Sequence, residues 1–174
     1  MDVKTAAEMY EALDTALASR EVALLAMVAA VSDVHVANPL PGKGPKSSML
    51  SDLQGMDWSQ ERDLLQGLIE RHGARVPSLA FAAQTLSSGE ERRATLRSLG
   101  EQKLQRKGAT ALFVNEVGRP GVGFESATNE GLLLVRGSGD EVDELVSPPA
   151  APKPVLAGWM LDRLLERGVI GSSS

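Results

Sequence analysis

An uncharged apolar run at residues 22–31 constrains the fold of this chain more than any other feature. It consists of Val, Ala, Leu and Met only, and it stops abruptly at Ser32-Asp33. Strands that are buried on both faces, as in parallel sheets, have this pattern, whereas a helix that spans a bilayer needs about 20 apolar residues. The run therefore predicts a buried parallel strand and argues against a membrane protein.

Helical and strand-like segments alternate along the rest of the chain. Thr5 and Glu8 form a capping box that predicts a helix over residues 5–19, because the hydroxyl and the carboxylate can each accept a free backbone N–H. A second helix is predicted to begin after a cap at Asp57 or Ser59 and to end at residues 72–73. A third is predicted over residues 88–107, with Gly108 as its stop, and a fourth over residues 155–167. Further strands are predicted over residues 76–83, 109–114, 132–135 and 142–146, the last two as an edge hairpin. This order predicts an α/β fold in three layers, with a parallel sheet between helices and a short antiparallel C-terminal extension.

The start of the chain differs from the usual start of such folds. Doubly wound sheets open with a strand and a glycine-rich turn, whereas this chain opens with a helix and offers about three parallel strands. The sheet is therefore expected to be incomplete at its N-terminal edge. The length of 174 residues fits one domain over residues 1–170, and residues 171–174 are expected to be a disordered tail.

Composition excludes several classes of function. Cysteine is absent and the two histidines, His35 and His72, lie far apart, which excludes thiolate chemistry and argues against a zinc site. The formal net charge of −5 gives no electrostatic footprint for nucleic acid. Neither a signal peptide nor a membrane span is recognised, so the expected location is the cytoplasm. The glycine-rich residues 118–123 contain Pro120 and lead into a strand, so they are not a dinucleotide-binding fingerprint.

Polar residues follow each predicted parallel strand. They are Asp33 after the first strand, Gln84 after the second, and Asn115 with Glu116 after the third. Ligands of open α/β sheets bind at the carboxyl ends of the strands, so these side chains are candidates for a binding site. The alternative interpretation is that they only form turns, as Asp and Asn commonly do.

Two groups of lysines could bind an anion such as a triphosphate. Lys43 lies in a loop rich in Gly, Pro and Ser at residues 35–55, and Lys103 and Lys107 share one helix face at a spacing of four residues. The alternatives are a solvated loop lysine and a pair of cations that complement the helix dipole. Such long loops are usually functional or mobile, so residues 37–55 are expected to close over the triphosphate.

Six stretches in order resemble the phosphopantothenate–cysteine ligase family. They are residues 29–33, 43–47, 80–85, 103–108, 113–117 and 121–130, and the similarity runs from residue 5 to about residue 167. The resemblance implies a Rossmann-like domain that joins 4′-phosphopantothenate to L-cysteine in coenzyme A biosynthesis. It also implies CTP or ATP as a co-substrate, with Mg²⁺ to neutralise the phosphates, and an acyl-cytidylate intermediate when CTP is used.

The resemblance also assigns site residues. It places Asp33, Lys43, Asp63, Phe81, Lys103 and Lys107 at the nucleotide, with Lys43 as the catalytic residue, and Asn115 on the substrate side. This chain departs from the family pattern at Pro45, Gln84 and Glu116. The altered loop favours an alternative, a non-catalytic paralogue that serves as a binding or regulatory module, whereas the retained Asp33, Lys43, Phe81 and Lys103 favour the enzyme.

The family's opening segment, which binds phosphopantothenate, has no counterpart in residues 1–174. Because open strand edges favour pairing with another chain, the resemblance implies either a homodimer or a heteromer with a chain that supplies the missing segment. The expected partners are thus small-molecule substrates and another polypeptide, and neither nucleic acid nor membrane.

Overall fold

The computed structural model describes residues 2–32, 34–38, 49–86, 91–118, 126–139 and 141–171. Its helices are α1 (Ala6–Ser19), α2 (Met49–Gln54), α3 (Leu64–His72), α4 (Arg92–Lys107) and α5 (Lys153–Glu166). Its strands are β1 (Leu25–Met27), β2 (Val34–Val36), β3 (Trp58–Gln60), β4 (Ser78–Gln84), β5 (Ala111–Glu116), β6 (Thr128–Asn129), β7 (Leu132–Arg136), β8 (Val142–Val146) and β9 (Ala151–Pro152). None of the helices in the described part of the chain is long and apolar enough to cross a bilayer.

Five strands form the central sheet in the order β1-β4-β5-β7-β8. β1, β4 and β5 are parallel, and β7 and β8 continue the sheet as an antiparallel hairpin. Two antiparallel ribbons, β2 with β3 and β6 with β9, are separate from it. The α/β fold with three parallel strands and an antiparallel C-terminal extension is therefore confirmed, and β1 occupies an edge of the sheet among the described residues.

Helices cover both faces of the sheet, as the sequence predicts. On one face α1, α3 and α4 bury Leu17, Leu68 and Leu104 against sheet residues such as Leu112 and Val114. On the other face α5 buries its own apolar stripe, which is Leu156, Met160 and Leu164, against Leu79, Phe113, Leu133 and Val135. The two faces of β5 thus belong to two different cores, which explains why its six residues are all buried.

Two of the predicted helix signals are present in the structure: the capping box of α1 and the glycine that ends α4. Thr5 accepts the backbone N–H of Glu8, whose carboxylate accepts the backbone N–H of Thr5, so the capping box of α1 is confirmed. Gly108 ends α4 with a φ of 67°, a left-handed conformation that glycine adopts without steric cost. α4 begins at Arg92, with Glu91 as its N-cap, so the predicted start at residue 88 is wrong.

The predicted strand over residues 22–31 is too long. Only residues Leu25–Met27 pair with β4, and Val28 beyond them is 65% exposed. Among the described residues β1 has a neighbour on one side only, and the apolar residues that follow it lie at the rim of a cleft. Hydrophobicity alone did not reveal where the pairing stops.

The expected loop over residues 35–55 contains regular structure. Val34–Val36 pairs with Trp58–Gln60 as an antiparallel ribbon, and Met49–Gln54 is helical. Because residues 58–60 are held in that ribbon, neither Asp57 nor Ser59 caps α3, and the cap is Asp63. Residues 39–48, with Lys43 and Pro45, lie outside the described residues, as do Asp33, most of the glycine-rich turn at residues 119–123 and residues 172–174 of the tail expected over 171–174.

Candidate functional site

A cleft of about 1270 Å³ lies at the carboxyl ends of β1, β4 and β5. The segment after β1, the start of α3 and the end of α4 line it on one side, and the first turns of α5 line it on the other. Five residues that the sequence predicts as site residues line this cleft: Asp63, Phe81, Lys103, Lys107 and Asn115. Their roles stay predictions, but the fold brings them together from four separate elements.

The floor of the cleft is aromatic. The rings of Phe81 and Phe113 lie 6.0 Å apart between centroids and are tilted by 54°. Phe113 is almost fully buried, whereas Phe81 is half-buried and reaches the cleft. This surface can pack against a flat or aliphatic part of a ligand, because aromatic rings bury a large apolar area at low entropic cost.

The start of α3 and the end of α4 are joined at the cleft by an ion pair between Asp63 and Lys107. Asp63 also caps α3, since its Oδ1 accepts the backbone N–H of Gln66 at 3.1 Å. Burial of Asp63 disfavours its charged form, but the hydrogen bonds from Lys107 and Gln66, with the charges of Lys107 and Arg106, hold its pKa below the ordinary value. Asp63 is therefore an ionised carboxylate that fixes the position of Lys107.

The cleft is cationic although the chain as a whole is acidic. Its described lining carries five basic residues, which are Arg62, Lys103, Arg106, Lys107 and Lys153, and two acidic ones, which are Glu61 and Asp63. The whole chain has a formal net charge of −5. Concentration of one sign of charge in a concave, partly apolar site favours binding of an anion.

The carboxyl end of β5 carries two buried polar residues with different surroundings. Asn115 is 8% exposed, and its Nδ2 donates to Oδ1 of Asn129 at 3.2 Å inside the cleft. Glu116 forms an ion pair with Arg92 and does not line the cleft. Asn115 is therefore the residue of this pair that can meet a ligand in the cleft.

Arg106, Asn129 and Lys153 are among the polar residues of the cleft that were not predicted as site residues. Arg106 lies between the two predicted lysines, where a helical projection could have revealed it. Asn129 belongs to a stretch that carries the family resemblance. Lys153 gives no signal in the sequence, because only the position of α5 on the far face of the sheet brings it to the cleft.

The described residues offer no cage for a metal ion. No group of three His, Asp or Glu side chains lies close enough to hold one in the described ranges. Asp63 is paired with Lys107, and Glu61 lies 3.0 Å from Nδ1 of His35. A Mg²⁺ ion that enters with a polyphosphate fits such a site, because Mg²⁺ is commonly held by phosphate oxygens and water with few protein ligands.

A second hollow, of about 540 Å³, lies between α4 and the start of β8. Its lining is charged, and its Arg97 is paired with Glu101 at 2.8 Å and with Glu144 at 3.3 Å. It contains neither the carboxyl ends of the parallel strands nor aromatic residues, so the cleft is the better candidate site.

Known proteins resemble this chain in sequence pattern and in fold. A family model described as the DNA/pantothenate metabolism flavoprotein C-terminal domain matches residues 1–166. The C-terminal domain of the coenzyme A biosynthesis bifunctional protein CoaBC is similar in structure, with a TM-score of 0.62, 19% identity and coverage of 94% of this chain and 63% of that one. The DNA/pantothenate metabolism flavoprotein from Streptococcus pneumoniae has a TM-score of 0.63, with 10% identity and coverage of 96% and 70%.

A variant of Cab2 in complex with phosphopantothenate-cysteine has a TM-score of 0.61, 14% identity and coverage of 94% of this chain and 51% of that one. The chain thus spans about half to two thirds of the length of CoaBC's domain and Cab2. No curated protein is significantly similar to it in sequence.

Proposed function

Because the chain belongs to the DNA/pantothenate metabolism flavoprotein C-terminal domain family, we propose that it is the nucleotide-binding part of a phosphopantothenate–cysteine ligase. The observation that carries this proposal is the cationic face of α4 at the carboxyl ends of the parallel strands, in the same cleft as the half-buried ring of Phe81. A cationic wall beside an aromatic floor suits a nucleoside triphosphate, which is anionic at one end and flat at the other.

The proposed reaction has two steps. A carboxylate oxygen of 4′-phosphopantothenate attacks the α-phosphate of CTP, and pyrophosphate leaves. The amine of cysteine then attacks the acyl carbon, an amide bond forms, CMP leaves and the amine gives up a proton. Lys103, Arg106 and Lys107 would neutralise the phosphates in both steps, since positioned cations stabilise the charge that develops on a leaving group.

Other assignments in this proposal rest on the family resemblance. Asp33 would accept hydrogen bonds from the base or ribose, and Lys43 would act on the phosphates during the chemical step. ATP is the alternative co-substrate, and Mg²⁺ bound to the phosphates would reduce their charge. A cytoplasmic location accords with a role in coenzyme A biosynthesis.

A second candidate function is a non-catalytic paralogue that binds a nucleotide without using it. Its support is the set of departures at Pro45, Gln84 and Glu116. At the last of these the carboxylate pairs with Arg92 instead of lining the cleft. A binding module of this kind would retain the affinity for nucleotide but show no ligation.

The open edge of β1 supports a role for another polypeptide. β1 pairs only with β4 in the described part of the chain. We propose that a strand from a second polypeptide or a second copy of this chain pairs with β1 and completes the substrate site.

Calorimetric titration tests the proposed nucleotide site. Wild-type protein and Lys103→Met are each titrated with CTP and with ATP, in the presence of Mg²⁺. The control variant is Lys4→Met, because Lys4 is exposed and lies just before α1. The expected result is binding that Lys103→Met weakens by about 5- to 100-fold, as the loss of a charge-assisted hydrogen bond predicts, and that Lys4→Met leaves within twofold. Absence of binding by either nucleotide at millimolar concentration contradicts the proposal.

Ligation separates the two candidate functions. The assay follows pyrophosphate release and product formation with 4′-phosphopantothenate and cysteine, with this chain alone and with polypeptides encoded beside it. Nucleotide binding without ligation in every combination favours the non-catalytic module.

A further inference from the structure

We propose that the side chain of Arg62 is a movable arm of the cleft. Its guanidinium rests in a notch on α3 in the structure, and it turns to the phosphate groups of an anion that enters the cleft. Arg62 lies outside the six stretches that carry the family resemblance. This role rests on the proposed function and adds to it a cation that changes its position when the ligand binds.

The notch that holds Arg62 is formed by a glycine and an aromatic ring. A Cβ atom at Gly67 would lie 2.6 Å from Nε of Arg62 and 2.9 Å from both Cζ and Nη2. The guanidinium therefore lies directly against the backbone of α3, in space that any larger residue would fill. Its carbon also lies over the ring of Tyr10 from α1, 5.0 Å from the ring centroid.

The stability of α3 does not explain this pair of residues. Asp63 is the N-cap of α3, so Arg62 precedes the cap and Gly67 is the fourth helical residue. Two apolar side chains commonly occupy these two positions, where they pack together and fix the entry of the chain into the helix. Glycine is also among the least favourable residues inside a helix. A cation on a glycine is a poor substitute, but it can depart without opening an apolar contact.

The resting contacts of Arg62 are weak. Its side chain is 60% exposed, and its Nη2 lies 3.8 Å from Oε2 of Glu70. The other oxygen of Glu70 accepts from Nε2 of Gln66 at 2.9 Å, so this carboxylate keeps a partner when Arg62 turns away. Exposed ion pairs and exposed cation–π contacts each contribute little to stability.

The ring of Tyr10 is held by contacts of its own. Its hydroxyl donates to the carbonyl of Gly67 at 3.3 Å, and the ring packs against the core beneath α1, α3 and α4. The notch is thus a fixed part of the fold, and the arginine is the part that can move.

The cleft lies next to the resting place of the arm. Arg62 already belongs to the lining of the cleft, and the following residue, Asp63, pairs with Lys107 of α4. Rotation of the Arg62 side chain therefore brings its guanidinium toward the cations of α4. There it can bind a phosphate through two parallel N–H···O bonds, which the resting place does not offer. A ligand shifts a conformation only by such a difference in interaction between two states.

Gly67→Ala closes the notch and separates a movable arm from a structural contact. The added Cβ displaces only the far end of a flexible side chain, so the fold should accept it. Calorimetry on the full chain uses inorganic tripolyphosphate and, separately, CTP with Mg²⁺. We expect Arg62→Met to weaken tripolyphosphate by about 5- to 50-fold. Gly67→Ala should strengthen it by about 2- to 10-fold, because the resting contacts no longer compete with the anion.

The control variant is Arg71→Met. It removes the same charge from the last turn of α3, outside the cleft, and should change the affinity for either anion by less than about twofold.

The single tyrosine of the chain reports on the arm directly. With isotope-labelled tyrosine, the ring resonances of Tyr10 in wild type should move, as tripolyphosphate saturates the protein, toward their positions in unliganded Arg62→Met. In Gly67→Ala they should lie near those positions before the anion is added. Arg62→Met itself should show no such movement.

Ring resonances that stay fixed at saturation overturn the proposal, and so does equal affinity of Arg62→Met and wild type for tripolyphosphate. A wild type that binds neither anion at millimolar concentration overturns it together with the proposed function. Binding of CTP with fixed resonances keeps the proposed function and removes the arm, whereas Arg62-dependent binding of tripolyphosphate without any binding of CTP does the reverse. If Gly67→Ala lowers the thermal midpoint, Tyr10→Leu repeats the calorimetric test, since it removes the ring and should strengthen tripolyphosphate in the same way.

Discussion

Asp63, at the start of α3, forms an ion pair with Lys107 in the last turn of α4, and the same carboxylate caps α3 through Gln66. The carboxylate of Asp63 thus both caps α3 and holds Lys107 in place at the rim of the candidate site. The pair links two helices that otherwise share few contacts, so its charge state bears both on stability and on the position of Lys107.

The first prediction concerns the pH dependence of this pair. The pKa of Asp63 is lower in the folded protein than its ordinary value of 3.8, so the ionised carboxylate stabilises the fold above that value, and the stabilisation is lost as pH falls through the folded pKa. Asp63→Asn can still cap α3 but lacks the charge. We expect wild type to exceed Asp63→Asn in free energy of unfolding by up to about 1 kcal/mol near neutral pH, because the pair is partly solvated.

Urea unfolding at intervals between pH 2.5 and pH 6 checks this prediction. The gap between the two proteins should narrow as pH falls below about 3.8. In a Lys107→Met background the same Asp63→Asn substitution should give a smaller gap. Parallel curves for wild type and Asp63→Asn over the whole range would contradict the assignment.

A second prediction concerns the packing of α4 on the sheet. A Cβ atom at Gly100 would lie 2.6 Å from Cδ1 of Leu134 and 2.9 Å from Cγ1 of Val114. Gly100→Ala should therefore destabilise the protein by about 1–3 kcal/mol through overpacking, despite the better helix propensity of alanine. Chemical denaturation of the variant measures the loss.

Gly158 in α5 is the matched control. A Cβ atom there meets nothing within 4 Å, so Gly158→Ala should stabilise the protein by about 0.5–1 kcal/mol. If both variants change stability in the same direction, the close packing of α4 against β5 and β7 is not as the structure has it.

A third prediction concerns the attachment of α1 to α3. His72, whose side chain is 8% exposed, lies 2.7 Å from Oδ1 of Asp14, which is also 2.9 Å from Nε of Arg71. Asp14→Ala leaves the buried imidazole without its partner and should cost about 1–3 kcal/mol in unfolding free energy. The exposed ion pair of Arg62 and Glu70 at 3.8 Å provides the control, and Glu70→Ala should cost less than about 0.5 kcal/mol.

A double-mutant cycle of Asp14→Ala with His72→Ala isolates the contact. A coupling energy near that of Glu70 with Arg62 would show that the buried pair adds nothing beyond a surface pair.

Local chemistry made much of the fold predictable from the sequence. The capping box at Thr5 and the stop at Gly108 depend on neighbours within four residues. Most of the buried strand β5 coincides with a continuous apolar run in the sequence. The ribbon of β2 and β3 was missed because it pairs residues 34–36 with residues 58–60, and strands of three residues are too short to show a period.

The residues of the candidate site were likewise predictable only where the sequence itself carries a signal. Lys103 and Lys107 were predicted because their spacing on one helix is visible in the sequence, Asn115 because it follows a predicted strand, and Phe81 from the family resemblance. Asn129 and Lys153 were missed because Asn129 meets Asn115 only after β6 pairs with β9, and the position of Lys153 follows from that pairing. Contacts that depend on tertiary structure leave no regular spacing of residues in the sequence.

The last prediction concerns the open edge of β1. The backbone N–H of Leu25 donates to the carbonyl of Pro77 at 2.8 Å, so Leu25 faces β4. In a parallel ladder the N–H and C=O groups of one residue point to the same side, and those of the next residue point to the other, so the backbone of Ala26 faces the open edge. Proline lacks the N–H and is tolerated in edge strands where that group faces solvent.

Ala26→Pro should therefore leave the thermal midpoint within a few degrees of wild type, whereas Leu25→Pro, which removes a ladder hydrogen bond, should destabilise the protein by about 3 kcal/mol or more. If a second chain pairs with β1, light scattering and co-purification should show an assembly for wild type and single chains for Ala26→Pro, with ligation lost in the variant. An assembly that persists in Ala26→Pro would place the contact elsewhere, and full ligation by an isolated single chain of wild type would show that no second strand is needed.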